Sequence, residues 1–264
     1  TALAVGCRPT QLFVSLAVAA VPFCFFTARH EWFTRRNWIC LAAFAIPYVL
    51  VGLALMNYNY QRFGSVFEFG IHYQLTIPNH SVSEPELGPG GWLLSLLHYL
   101  FASVTLDWQF PFIHMANIDI PYDGLLYQSG SIIGMFAFPL FSWLMLIPRF
   151  AGLIRKKRVL PLVISFLGSG ALILGFAIPF SVSYRYTVDF IWLFGLVAVL
   201  VIFACWEYFA EKGMQRWMFA AVQVALMAGI FLFISVTLTG EGFWFKEVNP
   251  SLYRQLEAAF TPWL

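Results

Sequence analysis

Six long apolar runs, none of which contains a charged residue, constrain the fold of this chain more than any other feature of its sequence. The runs span residues 10–28, 38–56, 130–148, 159–180, 190–206 and 217–239. A helix needs about 20 apolar residues to cross a bilayer, and it satisfies its own backbone hydrogen bonds there. A β-barrel would need alternating segments of about 10 residues, and these runs do not alternate. The sequence therefore predicts an all-α membrane protein with about six transmembrane helices.

The overall composition supports a membrane location. Hydrophobic residues make up 60% of the chain and charged residues 11%, and the formal net charge is +2. A soluble domain has about 45–50% apolar and about 25% charged residues. This balance argues against a soluble enzyme, a nucleic-acid-binding protein and a disordered chain. The four cysteines are isolated in the sequence, so neither a metal knuckle nor a disulfide framework is expected, and no cofactor is indicated.

The charges between the apolar runs predict an orientation. The loops 29–37, 149–158 and 207–216 carry 10 Lys and Arg residues, whereas the segments on the other side carry 5. Basic loops stay on the cytoplasmic side of a membrane. We therefore expect these three loops in the cytoplasm. Ten of the 13 acidic residues fall on the other side, so chemistry is expected on the outer face.

The outer side holds the longest connection in the chain, residues 57–129. Loops of this length are usually functional or disordered, and this one is rich in aromatic residues. Residues 92–106 are apolar but too short to span comfortably, so they predict an interfacial helix. Residues 107–129 are expected to form an ordered irregular loop. We divide the chain into a helical bundle, 1–239, which includes the outer loop, and an extracytoplasmic tail, 240–264, with a short helix at 251–260.

Two arginines at the outer ends of apolar runs are candidate anion ligands. Arg8 lies where the first run begins, and its alternative role is to snorkel to lipid headgroups. Arg185 lies in a short turn between two runs, with Tyr184 or Tyr186 as possible hydroxyl donors. Its planar guanidinium suits phosphate, because it can bond two oxygens at once. Asp189 follows four positions later, so a local ion pair with Arg185 is the structural alternative.

A second group of candidates lies in the outer loop. Arg62 and Glu68 flank an aromatic stretch that could contact lipid or sugar, and the alternative is an amphipathic loop that rests on the membrane. His114, Asp119 and Asp123 match no strong metal-binding spacing, so no metal site is predicted. No catalytic residue can be assigned from the sequence.

Three motifs resemble one family of membrane enzymes. They are the segment 57–70 (NYNYQRFGSVFEFG) followed by Tyr73-Gln74-Leu75, the sequence Arg185-Tyr186-x-x-Asp189, and the sequence Gly6-x-Arg8-Pro9-Thr10. Together they resemble bacterial proteins of the GT-C glycosyltransferase superfamily, which includes relatives of the protein O-mannosyltransferases and of the lipid A aminoarabinose transferases. The likeness covers most of the chain.

The resemblance implies an activity and a donor. Such enzymes transfer a sugar from a polyprenyl-phosphate carrier to an acceptor on the outer side of a membrane, here the bacterial inner membrane. The partners it implies are the bilayer and the lipid-linked sugar donor, with no nucleic acid. In that family the catalytic acid lies in the first outer loop, and no such loop precedes Thr1 in this sequence. We therefore expect a C-terminal portion of such an enzyme, inactive in isolation.

Two functions from other classes stay open. The chain could be a non-catalytic scaffold or assembly protein that keeps the architecture without the chemistry. It could also be part of a transporter or flippase, although transporters often show internal repeats and charges within their membrane helices, and neither is evident in this sequence.

Overall fold

Helices form most of the chain that the computed structural model describes. The described residues are 2–8, 10–15, 18–19, 34–70, 73, 89–115, 119–122, 125–128, 132–137, 140–179, 182–239 and 244–262. In chain order the helices are α1 (Ala2–Cys7), α2 (Arg35–Phe63), α3 (Pro89–Phe101), α4 (Pro148–Lys156), α5 (Leu160–Ala177), α6 (Tyr184–Glu211), α7 (Gln215–Thr239), α8 (Trp244–Val248) and α9 (Pro250–Phe260).

Four of these helices, α2, α5, α6 and α7, are long and apolar enough to cross a membrane. They cover four of the predicted runs, 38–56, 159–180, 190–206 and 217–239, in whole or in large part, so the chain is a mostly helical membrane protein. Of the first predicted run, residues 11–15 and 18–19 are helical, and most of the remainder lies outside the described residues.

α5, α6 and α7 form an antiparallel group with α6 at its centre. Val163, near the start of α5, shares a core with Cys205, near the end of α6. Ala177, at the end of α5, shares another core with Phe190, near the start of α6. Gly213, at a φ of 68°, makes the tight turn between α6 and α7, a backbone conformation that favours glycine.

Residues 130–148 do not form the regular transmembrane helix that the sequence predicts. In the part of this run that the structure describes, 3-10 helices occupy Met135–Ala137 and Leu140–Leu146. Pro139 lies between them in the sequence, and proline cannot donate a backbone hydrogen bond. The expectation of one α-helix over this run was therefore wrong.

The two 3-10 helices nevertheless follow α6 along its length. Met135, in the first, packs in the same core as Phe190 near the start of α6. Leu144, in the second, packs against the core that contains Val201 near the end of α6. The segment therefore runs in the same direction as α6, and α4 then begins beside the end of that helix.

The long connection 57–129 is more regular than expected in its described part. A helix covers the first part of the predicted 92–106 segment, but α3 ends at Phe101 and residues 104–106 form a strand. The β-branched residues Val104 and Thr105 favour this change. The predicted irregular loop, 107–129, contains three further strands. They form two antiparallel hairpins, in which β1 (Val104–Leu106) pairs with β2 (Ile113–Met115), and β3 (Asp119–Tyr122) pairs with β4 (Leu125–Gln128).

The first hairpin and the C-terminal tail pack at one end of the bundle. Ile113 and Met115 of β2 share a core with Val236 near the end of α7. The Tyr253 hydroxyl of α9 donates a hydrogen bond of 2.9 Å to the Phe110 carbonyl oxygen. Burial, and secondarily the Glu257 carboxylate, raises the pKa of Tyr253, so the phenol keeps the proton that it donates. The short helix predicted at 251–260 is confirmed as α9.

Candidate functional site

The first turns of α6 hold a buried carboxylate that is bonded by an arginine from the other end of the chain. Nη1 of Arg8 lies 2.6 Å from Oδ1 and 2.7 Å from Oδ2 of Asp189. Oγ1 of Thr10 lies 3.5 Å from the same Oδ2. The structure therefore brings together two sequence candidates, Arg8 and Asp189, that are 181 positions apart.

The surrounding core explains why the N-terminal segment docks here. Val14, in the helical turn after Arg8, is buried in the core that also contains Tyr99 of α3 and Phe190 of α6. The Tyr99 and Phe190 rings meet edge to face, with centroids 5.8 Å apart. Because Asp189 precedes Phe190, burial of these side chains fixes the carboxylate beside the N-terminal segment.

The two charges of the pair differ in exposure. The Asp189 side chain is 8% exposed, whereas the Arg8 side chain is 47% exposed. A buried carboxylate is unfavourable without a partner, so Asp189 depends on Arg8. The guanidinium presents five N–H donors, and both bonds to Asp189 come from Nη1. Arg8 is therefore a half-exposed cation that is bound to a buried carboxylate.

The other candidates on α6 lie within one turn of this pair. Residue 185 is in the first turn of α6, and its side chain lies outside what the structure describes. The expected local pair between Arg185 and Asp189 therefore stays a prediction, and the partner that the structure gives Asp189 is Arg8. Tyr186 is partly exposed on the same turn. The Trp192 indole N–H donates a 3.2 Å hydrogen bond to the Asp189 carbonyl oxygen.

Arg62 and Glu68 make local contacts at the end of α2. Nη1 of Arg62 donates a 2.9 Å hydrogen bond to the Tyr58 hydroxyl, and its guanidinium carbon lies 5.0 Å from the centroid of the Phe63 ring. A Glu68 oxygen accepts a 2.7 Å hydrogen bond from the Gly70 N–H. These contacts indicate that Arg62 and Glu68 stabilise the end of α2 and the turn that follows it.

Sequence reasoning missed three polar groups near the site. It gave no role to Thr10 beyond its place in a motif. It also gave no functional role to Ser95 or Thr187, whose hydroxyl oxygens are fully buried and have no hydrogen-bond partner among the described residues. The sequence carries no signal for them, because a hydroxyl in an apolar helix is as often satisfied by its own backbone. In the described part of the chain, no group of three or more His, Cys, Asp or Glu side chains could hold a metal ion.

Comparison of the chain with protein-family models, with curated proteins and with solved structures finds no match. The fold and the site define its class as a polytopic helical membrane protein with an accessible arginine held by a buried carboxylate at one end of its central helix.

Proposed function

We propose that the chain is the membrane-embedded part of a GT-C-like glycosyltransferase, and that it binds the phosphate of a polyprenyl-phosphate-linked sugar beside Arg8. The observation that carries the proposal is the Arg8–Asp189 pair, in which a half-exposed guanidinium is fixed by a buried carboxylate. A fixed guanidinium loses little freedom when it binds an anion, so it is a better phosphate ligand than a mobile surface arginine.

The length of α6 supports a headgroup position for this pair. Asp189 and Tyr208 lie nineteen positions apart on α6, which is about 29 Å at the helical rise of about 1.5 Å per residue. This matches the hydrocarbon thickness of about 30 Å. Asp189 therefore falls at one interface when Tyr208 falls at the other. A polyprenyl-phosphate has its anionic head at that level and its tail in the bilayer.

Each of these residues has its own role in the proposed complex. Arg8 binds the phosphate and stabilises the charge that develops on it when the sugar leaves. Asp189 orients Arg8, and Arg185 and Tyr186 on the adjacent turn add donors. The exposed apolar faces of α2 and α7 accommodate the isoprenoid tail. The carboxylate that deprotonates the acceptor is not assigned to any residue of this chain.

The proposed topology has six crossings, with the first hairpin and the tail outside and the loop 149–158 inside. Gln109, exposed between β1 and β2, and Glu211, exposed at the end of α6, provide the test. In a background with all four native cysteines replaced, an impermeant maleimide on intact cells is expected to modify Gln109→Cys and to spare Glu211→Cys. Both should react after the membrane is permeabilised. Labelling of Glu211→Cys alone in intact cells would reverse the orientation.

Donor recognition is tested by substituting lysine for each arginine. The purified chain, in micelles free of anionic phospholipid, is titrated with a long-chain polyprenyl phosphate. Arg8→Lys retains the charge that Asp189 requires but loses the planar fork, so we expect binding about tenfold weaker, or about 1.4 kcal/mol. Arg185→Lys is expected to weaken binding in the same direction. Arg158→Lys, at the opposite end of the bundle, is the matched control and should bind as the parent does.

The neutral polyprenol separates phosphate recognition from binding of the tail. If the polyprenol binds as tightly as its phosphate, or if Arg8→Lys and Arg185→Lys both bind like the parent, the phosphate-binding role is wrong. The Arg8–Asp189 pair would then be a structural link between the N-terminal segment and α6, which is the outcome that favours a scaffold.

A further inference from the structure

A groove lies beside α4, at the end of α6 opposite the Arg8–Asp189 pair. It has a volume of about 320 Å³ and is formed by residues along the length of α4 and by Tyr208 in the last turns of α6. Phe150 and Leu153 give it an apolar wall, and Arg149 and Lys156 give it two cationic edges. An apolar wall between two cations is complementary to an anionic group with a hydrocarbon attached.

Aromatic contacts hold Arg149 at the groove and place a further cation, Lys212, on the same tyrosine ring. The Arg149 guanidinium carbon lies 5.0 Å from the centroid of the Tyr208 ring, and Nζ of Lys212 lies 5.6 Å from the same centroid. Phe150 stacks on Phe209, with centroids 6.1 Å apart. Ile154, which is fully buried, fixes α4 against α6. These contacts make the groove a built feature of the fold.

The electrostatic balance around the groove is strongly positive. The segments 149–158 and 207–216 contain seven basic residues and two acidic residues, Glu207 and Glu211. Glu207 forms an ion pair with Lys157, which does not line the groove. The groove therefore lies within a region of excess positive charge.

The groove also lies at the level of lipid headgroups. Tyr208 is about 29 Å along α6 from Asp189, close to the thickness of the hydrocarbon core of a bilayer. Tyrosine and basic side chains are enriched at this level. The basic loops predict that this is the cytoplasmic side of the membrane.

We propose that this groove binds the headgroup of an anionic phospholipid. Arg149 and Lys156 bind the phosphodiester oxygens, and the acyl chains lie along Phe150 and Leu153. Basic pockets between membrane helices on the cytoplasmic side suit such headgroups. A zwitterionic phospholipid brings its own ammonium group into the positive region and binds more weakly. This site is separate from Arg8 and does not depend on the proposed transferase activity.

Native mass spectrometry of the purified chain in a neutral detergent provides the test, with phosphatidylglycerol and phosphatidylcholine as ligands. The parent is expected to retain phosphatidylglycerol in preference to phosphatidylcholine. The double variant Arg149→Gln/Lys156→Gln is expected to bind phosphatidylglycerol at least tenfold more weakly. The matched control, Arg155→Gln/Arg158→Gln, removes the same charge from exposed positions outside the groove and should lose less than threefold.

A variant that keeps every charge tests the groove independently, in case the charge variants misfold. A Cβ added at Gly152 meets no heavy atom within 4 Å, so Gly152→Leu can place its side chain in the groove without a backbone clash. It is expected to weaken phosphatidylglycerol binding while the thermal unfolding midpoint stays close to that of the parent. Equal losses in the groove and control double variants, or unchanged binding in Gly152→Leu, would overturn the proposal. Displacement of the lipid by millimolar inorganic phosphate would overturn it as well, since the site would then be one for free phosphate.

Discussion

Replacing Arg8 with alanine is expected to lower the free energy of unfolding by about 3 kcal/mol, and replacing Asp189 with asparagine by only about 1 kcal/mol. The asymmetry follows from burial. Arg8→Ala leaves a carboxylate that is 8% exposed without its main partner, whereas Asp189→Asn leaves a guanidinium that is 47% exposed and can be hydrated. Asparagine also keeps an oxygen that can accept a hydrogen bond from Arg8.

Reversible unfolding of the purified chain in mixed micelles measures both values. The double variant Arg8→Ala/Asp189→Asn is expected to be more stable than Arg8→Ala alone, because it removes the uncompensated buried charge. Arg254→Ala, an exposed position on α9, controls for the loss of one positive charge and should change stability by less than about 0.5 kcal/mol. If Asp189→Asn costs as much as Arg8→Ala, the burial argument fails.

Some elements of this fold are determined by residues that lie close together in the sequence. The helices α2, α5, α6 and α7 were predictable because an α-helix satisfies the backbone hydrogen bonds of a long uncharged run within the run itself. Helix α9 was predictable from its own residues. In both cases the structure depends mainly on neighbours in the sequence and on the solvent.

The Arg8–Asp189 pair was not predictable, because each partner had a nearer alternative. Helical spacing suggested Arg185 for Asp189, and snorkelling suggested lipid for Arg8. The pair forms because Val14 and Phe190 share one core. That contact cannot be predicted from the spacing of apolar residues in the sequence. The sequence named both residues as candidates, and their pairing required the fold.

The irregular parts of the chain were also beyond sequence reasoning. Residues 130–148 have the apolar composition of a transmembrane helix, and composition alone cannot distinguish an α-helix from two 3-10 helices. Just before these helices the backbone closely approaches the end of α3, a contact that composition does not predict. Gly134 donates a 2.8 Å hydrogen bond to the Ala102 carbonyl oxygen, just after α3 ends.

Gly134→Ala is therefore expected to be among the most damaging single substitutions in the chain. A Cβ at this position would lie 2.5 Å from the Ala102 nitrogen, 2.7 Å from the Leu100 oxygen and 2.8 Å from the Phe101 carbonyl carbon. All three are backbone atoms, so no side chain can rotate away to make room. Overpacking of this kind costs about 1–3 kcal/mol and occasionally more, and we expect a loss of about 3 kcal/mol here.

The matched control is Gly168→Ala on α5, where an added Cβ meets no heavy atom within 4 Å. Alanine stabilises a helix by about 1 kcal/mol relative to glycine, so this variant should be as stable as the parent or more stable.

A cysteine placed at Ser95 of α3, fully buried in the parent, reports undocking of that helix through its rate of reaction with a maleimide. Gly134→Ala is expected to accelerate that reaction, because the clash separates the end of α3 from the segment beside it. Since Tyr99 of α3 contacts Phe190, the residue after Asp189, the same variant should also weaken polyprenyl-phosphate binding. Parent-like stability and labelling in Gly134→Ala would show that this backbone approach does not hold α3 in place.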